Sequence, residues 1–139
     1  MKFKVLFLTL LLSTTIVASA DTTMYDKYGQ KTGSYATNGS TTYEYDKYGK
    51  NVGSYYTDSS GNVTQYDKYG QKTGSFSKSG STTYEYDKYG QKVGSFQTNS
   101  DGETIKYDQY GQKVGSYRTD SFGNVTEYDK YGQKVGSYR

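Results

Sequence analysis

Thr41-Thr42-Tyr43-Glu44-Tyr45-Asp46-Lys47-Tyr48-Gly49-Lys50-Asn51-Val52-Gly53-Ser54-Tyr55 is the stretch whose reading decides the fold. Two runs of strand-forming residues flank Asp46-Lys47-Tyr48-Gly49. There, Asp stands where a type I turn uses a side-chain acceptor, and Gly where the chain must go left-handed. This is the pattern of a three-residue hairpin loop closed by a Gly bulge. Pairing Asp46 with Lys50 sets a register in which Tyr45 faces Asn51, Glu44 faces Val52, Tyr43 faces Gly53 and Thr41 faces Tyr55. Side chains alternate along a strand. The expectation is therefore Tyr43, Tyr45, Gly53 and Tyr55 on one face, with Glu44, Asp46, Lys50 and Val52 on the other. Tyr43 over Gly53, Tyr84 over Gly94 and Ile105 over Gly115 would each set a large side chain against a residue with none. Lys50 and Asp46 would form a cross-strand charge pair worth about 0.2–1 kcal/mol.

Outward from this stretch the same unit recurs. Tyr-Asp-Lys/Gln-Tyr-Gly begins at Tyr25, Tyr45, Tyr66, Tyr86, Tyr107 and Tyr128, a spacing of 20 or 21 residues. Gly-Ser-Tyr or Gly-Ser-Phe follows each copy, and a second Gly-bearing turn lies between successive copies, as in Asn38-Gly39 and Ser60-Gly61-Asn62. Each unit thus holds two short strands and two turns, and six units predict about twelve strands. A lone hairpin is marginal in water, whereas stacked copies bury a shared aromatic face. The expected fold is all-β: tandem β-hairpin repeats in an open twisted sheet or solenoid-like stack.

Residues 1–20 differ in kind. Lys2 and Lys4 precede an apolar run from Val5 to Leu12, and Ala18-Ser19-Ala20 supplies a small-x-small pattern, so residues 1–20 read as a signal peptide cleaved before Asp21. The apolar run is too short to cross a bilayer, which takes about 20 apolar residues, and no later segment spans. The six-copy array then occupies residues 21–139. Every Leu lies in the first segment, and beyond it 15 Lys and Arg stand against 14 Asp and Glu. A near-neutral chain with mixed signs predicts no nucleic-acid partner and no anionic-membrane partner. The array has no Leu and one Ala, so its core must come from 19 Tyr, Phe76, Phe96, Phe122 and a few Val.

The stretches Gly61-Asn62-Val63-Thr64-Gln65-Tyr66-Asp67-Lys68-Tyr69-Gly70 and Gly123-Asn124-Val125-Thr126-Glu127-Tyr128-Asp129-Lys130-Tyr131-Gly132 resemble the YD repeats of Rhs and teneurin-type proteins. The resemblance covers roughly residues 25–139. It implies β-hairpins in a spiralling sheet that encloses or displays something else, and contact with carbohydrate or cell surfaces. The Gly-Arg-Leu common in that family is here Tyr-Gly-Gln-Lys or a close variant. Six units are expected to be too few to close a shell.

Chemistry is sparse. The chain has no His, Cys or Trp, which removes the commonest general base, the thiolate nucleophile and the usual zinc ligands. Asp26, Asp46, Asp67, Asp87, Asp108 and Asp129 recur once per repeat at a turn and read as turn stabilisers. An active site needs unlike groups converging at one place, so no catalytic residue, metal site or cofactor is expected. The acidic turns at Asp58, Asp101 and Asp120 lack calcium-loop spacing and read as hydrophilic turns. Asn38, Asn62 and Asn124 open formal glycosylation sequons that are equally good turn sequences.

Tyr28, Tyr48, Tyr69, Tyr89, Tyr110 and Tyr131 are the candidate binding residues, each lying in a loop before Gly. Six rings on one edge would form a row suited to stacking on sugars or a partner surface. The competing arrangement folds them back over neighbouring repeats as packing, which Tyr as the main core material favours. The leading expectation is an exported structural or adhesive protein at the cell surface, in the periplasm or secreted. Its partners would be carbohydrate or a cell-surface protein. Edge-to-edge self-association into a fibre or matrix and a non-functional fragment of a larger YD-repeat protein are the alternatives.

Overall fold

Each Tyr-Asp-x-Tyr-Gly segment makes the hairpin its residues encode. The Asp46 N–H donates to the Lys50 carbonyl at 2.9 Å and the Gly49 N–H to the Asp46 carbonyl at 3.0 Å. Gly49 takes a φ of 81°, which costs little only without a Cβ. The Asp46 Oδ1 accepts the Tyr48 and Lys50 N–H groups at 2.8 and 3.0 Å, closing the loop from inside. Asp46 and Lys50 thus join through the backbone and this Asx contact rather than through a side-chain ion pair.

The computed structural model describes residues 21–139, and the expected signal peptide at 1–20 lies outside them. The strands are β1 (Thr22–Asp26), β2 (Lys31–Asn38), β3 (Thr41–Asp46), β4 (Asn51–Thr57), β5 (Val63–Asp67), β6 (Lys72–Ser79), β7 (Thr82–Asp87), β8 (Lys92–Thr98), β9 (Glu103–Asp108), β10 (Lys113–Thr119), β11 (Val125–Asp129) and β12 (Lys134–Tyr138). All pairings are antiparallel between strands consecutive in sequence, and β1 pairs with β12. The sheet is therefore a closed up-and-down barrel of twelve strands, not an open sheet or solenoid. Met24 faces Tyr138 across the seam, and the Thr23 and Arg139 backbones exchange hydrogen bonds of 2.7 and 3.0 Å. Closure removes both unpaired edges that an open array of six hairpins would expose. Six units are enough because each contributes two staggered strands.

The register departs from expectation at one residue per hairpin. Tyr45 faces Asn51 as expected, but the pairing shifts between Glu44 and Tyr45, so Glu44 faces Gly53, Tyr43 faces Ser54 and Thr42 faces Tyr55. Val52 is the extra residue of a β-bulge. One inserted residue exchanges the faces of everything beyond it. Tyr84 likewise faces Ser95, and Ile105 faces Ser116. The expected Tyr-over-Gly pairs do not form, and Tyr43 and Tyr45 lie on the outer face while Gly53 and Tyr55 point inward.

Those inward positions build the core. Tyr35, Tyr55, Phe76, Phe96, Tyr117 and Tyr138, one from each Gly-Ser-aromatic segment, are almost fully buried together with Met24, Val63 and Val125. The Tyr35 and Tyr55 rings meet edge to face with centroids 6.2 Å apart. The second inward ring alternates glycine with Met24, Glu44, Gln65, Glu85, Lys106 and Glu127. Each of these faces the Gly of its own hairpin and an aromatic side chain of the adjoining repeat, as Glu44 faces Gly53 and Tyr35.

The buried carboxylates are matched to these rings. Glu127 accepts hydroxyl hydrogen bonds from Tyr138 at 3.1 Å and Tyr117 at 3.5 Å, and Glu44 accepts one from Tyr55 at 2.9 Å. The two repeats carrying Phe in place of Tyr flank Glu85, which lies 3.7 Å from the Lys106 ammonium instead. Burial above all, then neighbouring charge, pushes the hydroxyls of Tyr35, Tyr55, Tyr117 and Tyr138 far above the ordinary phenol range.

A raised folded-state value means that the fold favours the protonated phenol. Its contribution is complete below the unfolded value of about 10 and is lost as pH rises above it. The barrel is expected to unfold cooperatively above about pH 10, with loss of the β circular dichroism signal coinciding with ionisation of these phenols. A β signal that survives ionisation of every tyrosine would contradict the buried ring.

Candidate binding face: a crown of tyrosines at one mouth of the barrel

In an up-and-down barrel, alternate turns lie at opposite ends. The six turns β1–β2, β3–β4, β5–β6, β7–β8, β9–β10 and β11–β12 share one end, and all six are the Asp-x-Tyr-Gly turns. The expected row of tyrosines is thus closed into a ring. Tyr28, Tyr48, Tyr69, Tyr89, Tyr110 and Tyr131 are 76–80% exposed, so they do not pack back over neighbouring repeats. The remaining turns and the termini of the strand array, Thr22 and Tyr138, occupy the other end.

Each crown turn is held rigidly. The Oδ1 atoms of Asp26, Asp46, Asp67, Asp87, Asp108 and Asp129 each accept two backbone N–H groups at 2.8–3.0 Å. For Asp46 the Lys50 N–H is the main cause of a carboxyl held below its usual range. At five tips the ammonium preceding the tyrosine lies over its ring: Lys27, Lys47, Lys68, Lys88 and Lys130, 4.9–5.0 Å from the centroid. The fifth tip has Gln109 in that place.

In the sequence these lysines do not stand out, because the charge there is evenly mixed. The mixture is even along the chain and uneven in space. The crown end carries the five tip lysines, Lys50, and the lysines that open β2, β6, β8, β10 and β12, all exposed, against the six turn aspartates. The opposite end carries Asp21, Asp58, Asp101, Glu103 and Asp120 against Lys78, Arg118 and Arg139. Formal charge is +5 at the crown end and −2 at the other. A signal for this was present, because the lysines recur at fixed places around every second turn.

Other polar features are engaged locally. The Asp58 Oδ1 accepts the Ser60 and Asn62 N–H groups, and the Asp120 Oδ1 those of Phe122 and Asn124, so these acidic turns use their oxygens within the loop. The Asn124 side-chain amide, also bonded to Asp120, is the chief cause of the lowered Asp120 carboxyl. Among the described residues no three acidic, His or Cys side chains are grouped to hold a metal. No helix there is long and apolar enough to cross a membrane. A cleft of about 240 Å³ in the crown half reaches Lys106, Gly115, Tyr117 and Glu127, whose charged groups already have the partners described above.

No family model matches the chain, and no characterised protein matches it in sequence. Among solved structures it is similar to the crystal structure of BamB from Moraxella catarrhalis, at 10% identity and a TM-score of 0.30. That alignment covers 76% of this chain, which spans 60% of the other, and at this TM-score it carries no argument.

Proposed function

We propose that this is an exported, non-catalytic structural or adhesive repeat protein related to the YD-repeat proteins. Its crown of tyrosines acts as a multivalent binding face at the cell envelope or outside the cell, and its partner is carbohydrate or a glycosylated cell surface. One observation carries this reading: six rings from six repeats stand exposed at the same mouth of the barrel, on turns tied by their own aspartates. A tyrosine ring offers a flat apolar face and a polar tip, which suits a sugar ring with its apolar face and hydroxyl rim. Rings that repeat around a mouth favour avidity, because each engaged tip raises the effective concentration of the next.

The fibre alternative has less support in a closed barrel. Edge-to-edge stacking needs an unpaired strand, and here β1 and β12 pair with each other.

The test replaces Tyr28, Tyr48, Tyr69, Tyr89, Tyr110 and Tyr131 by Ser. Exposed turn positions away from packing change stability by about 0.5 kcal/mol or less each, so the variant is expected to keep its β spectrum. Its apparent affinity on a glycan array or for whole cells should fall by about 10²-fold or more as avidity is lost. If the unaltered protein bound no glycan and no cell surface, the reading would be wrong.

A further inference from the structure

We infer that the crown recognises an anionic polysaccharide, a sugar polymer bearing carboxylate, sulfate or phosphate groups, an inference that rests on the reading of the crown as a binding face. Residues 21–139 are close to neutral, yet the alternation of up and down strands gathers eleven lysines at the tyrosine end, and closure of the barrel sets them in a ring. The six aspartates there, each with a carboxylate oxygen turned onto the backbone N–H groups of its own loop, offset part of that charge and leave a formal excess of +5. The ion pairs found among the described residues, Lys106 with Glu85 and Arg118 with Glu103, involve no crown lysine. The crown is thus a cationic mouth whose charges are available to a ligand.

The arrangement within each tip narrows the ligand. An ammonium about 5 Å from the centroid of an exposed ring sets a cation beside an aromatic face. One tip therefore offers a stacking surface for a sugar and a partner for that sugar's acidic group. Successive tips lie two strands apart, about 10 Å at ordinary strand spacing, roughly the reach of two linked sugar rings. A polymer with a repeating acidic sugar can engage several tips in register. A bilayer fits less well, since Lys-Tyr-Gly carries no aliphatic or indole group at the tip to enter the acyl region.

The experiment compares binding of the protein to acidic polysaccharides, to their neutral counterparts and to anionic phospholipid vesicles, each at low and high salt. Acidic chains are expected to bind at least about tenfold more tightly than neutral ones, with most of the difference lost near 1 M salt, where the screening length is about 3 Å. Gln109→Lys, which completes the ring of tip lysines, should strengthen binding by about 1.5- to 5-fold, the range of one exposed charge pair. Lys68→Gln should weaken it by a similar factor, and Lys78→Gln at the opposite end should leave it unchanged. Equal, salt-independent binding to neutral and acidic glycans would overturn the inference and leave the crown as a sugar-binding face. Binding to vesicles without binding to acidic glycans would replace the polysaccharide by a membrane surface and overturn it. No binding to any glycan would remove this inference and the proposed function together.

Discussion

A chain truncated after Gln133 is expected to lose the closed barrel and to aggregate. Strand β12 pairs with β11 on one side and β1 on the other, so its removal opens two edges at once. It also removes Tyr138, almost fully buried and hydrogen-bonded to Glu127. Deleting a buried aromatic side chain alone costs about 3–5 kcal/mol, against a total of about 5–15 kcal/mol for a typical domain. The loss includes the β1 and β11 ladders and a partner of a buried carboxylate, so no stable barrel should remain. Light scattering after size exclusion should report oligomers or aggregate, because exposed strand edges recruit other strands. A monomer with an unshifted melting curve would mean that the seam contributes little and that the barrel does not depend on closure.

Gly74→Val is expected to be nearly as damaging, through a single residue. A Cβ at Gly74 would lie 2.8 Å from the Tyr86 carbonyl oxygen, a backbone atom of the adjoining strand, with the Gln65 amide oxygen at 3.8 Å. Five other glycines meet the next repeat in the same way, ending with Gly136 against Tyr25 at 3.0 Å, so the close approach runs round the barrel. Backbone cannot step aside as a flexible side chain can. The cost should be about 3 kcal/mol or more, at the upper end for overpacking, which lowers the melting temperature by roughly 10 °C in a chain of this size. Gly70→Ala provides the contrast. Gly70 has a φ of +80° and open space around it, so substitution there costs only the conformational term of about 1–2 kcal/mol. If Gly74→Ala proved no worse than Gly70→Ala, the interstrand approach would be wrong.

The face assignment shows where a sequence reading stops. Alternation from the Asp46 turn put Tyr43 and Tyr55 together, and one residue, Val52, separated them. Nothing in the turn chemistry of Asp46-Lys47-Tyr48-Gly49 requires or forbids a bulge two residues beyond its end. The interior decides. The crowded inner ring admits glycine, and the bulge brings Gly53 there with Tyr55 following to fill the core. Tyr43, Tyr45 and Tyr55 are the same amino acid, so hydrophobicity could not separate core from surface. The candidate site was legible as residue type and position in Tyr28 and its equivalents, while their exposure and ring arrangement were not.

What the amino-acid order determines by itself is local: the period of 20 or 21 residues, the hairpins, the Asp and Gly of every loop, and the exclusion of His- or Cys-based chemistry. These depend on contacts within five residues or on the presence of a side-chain type, so no distant partner can change them. Closure, the inward ring of Gly-Ser-aromatic segments and the gathering of tyrosine and lysine at one mouth belong to the tertiary structure. They depend on small twists and staggers added over twelve strands, and on whether the last strand meets the first. A charge pattern that averages to near neutrality along residues 21–139 is divided between two ends by the alternation of strands, and the meeting of β1 with β12 turns the crown end into a closed ring.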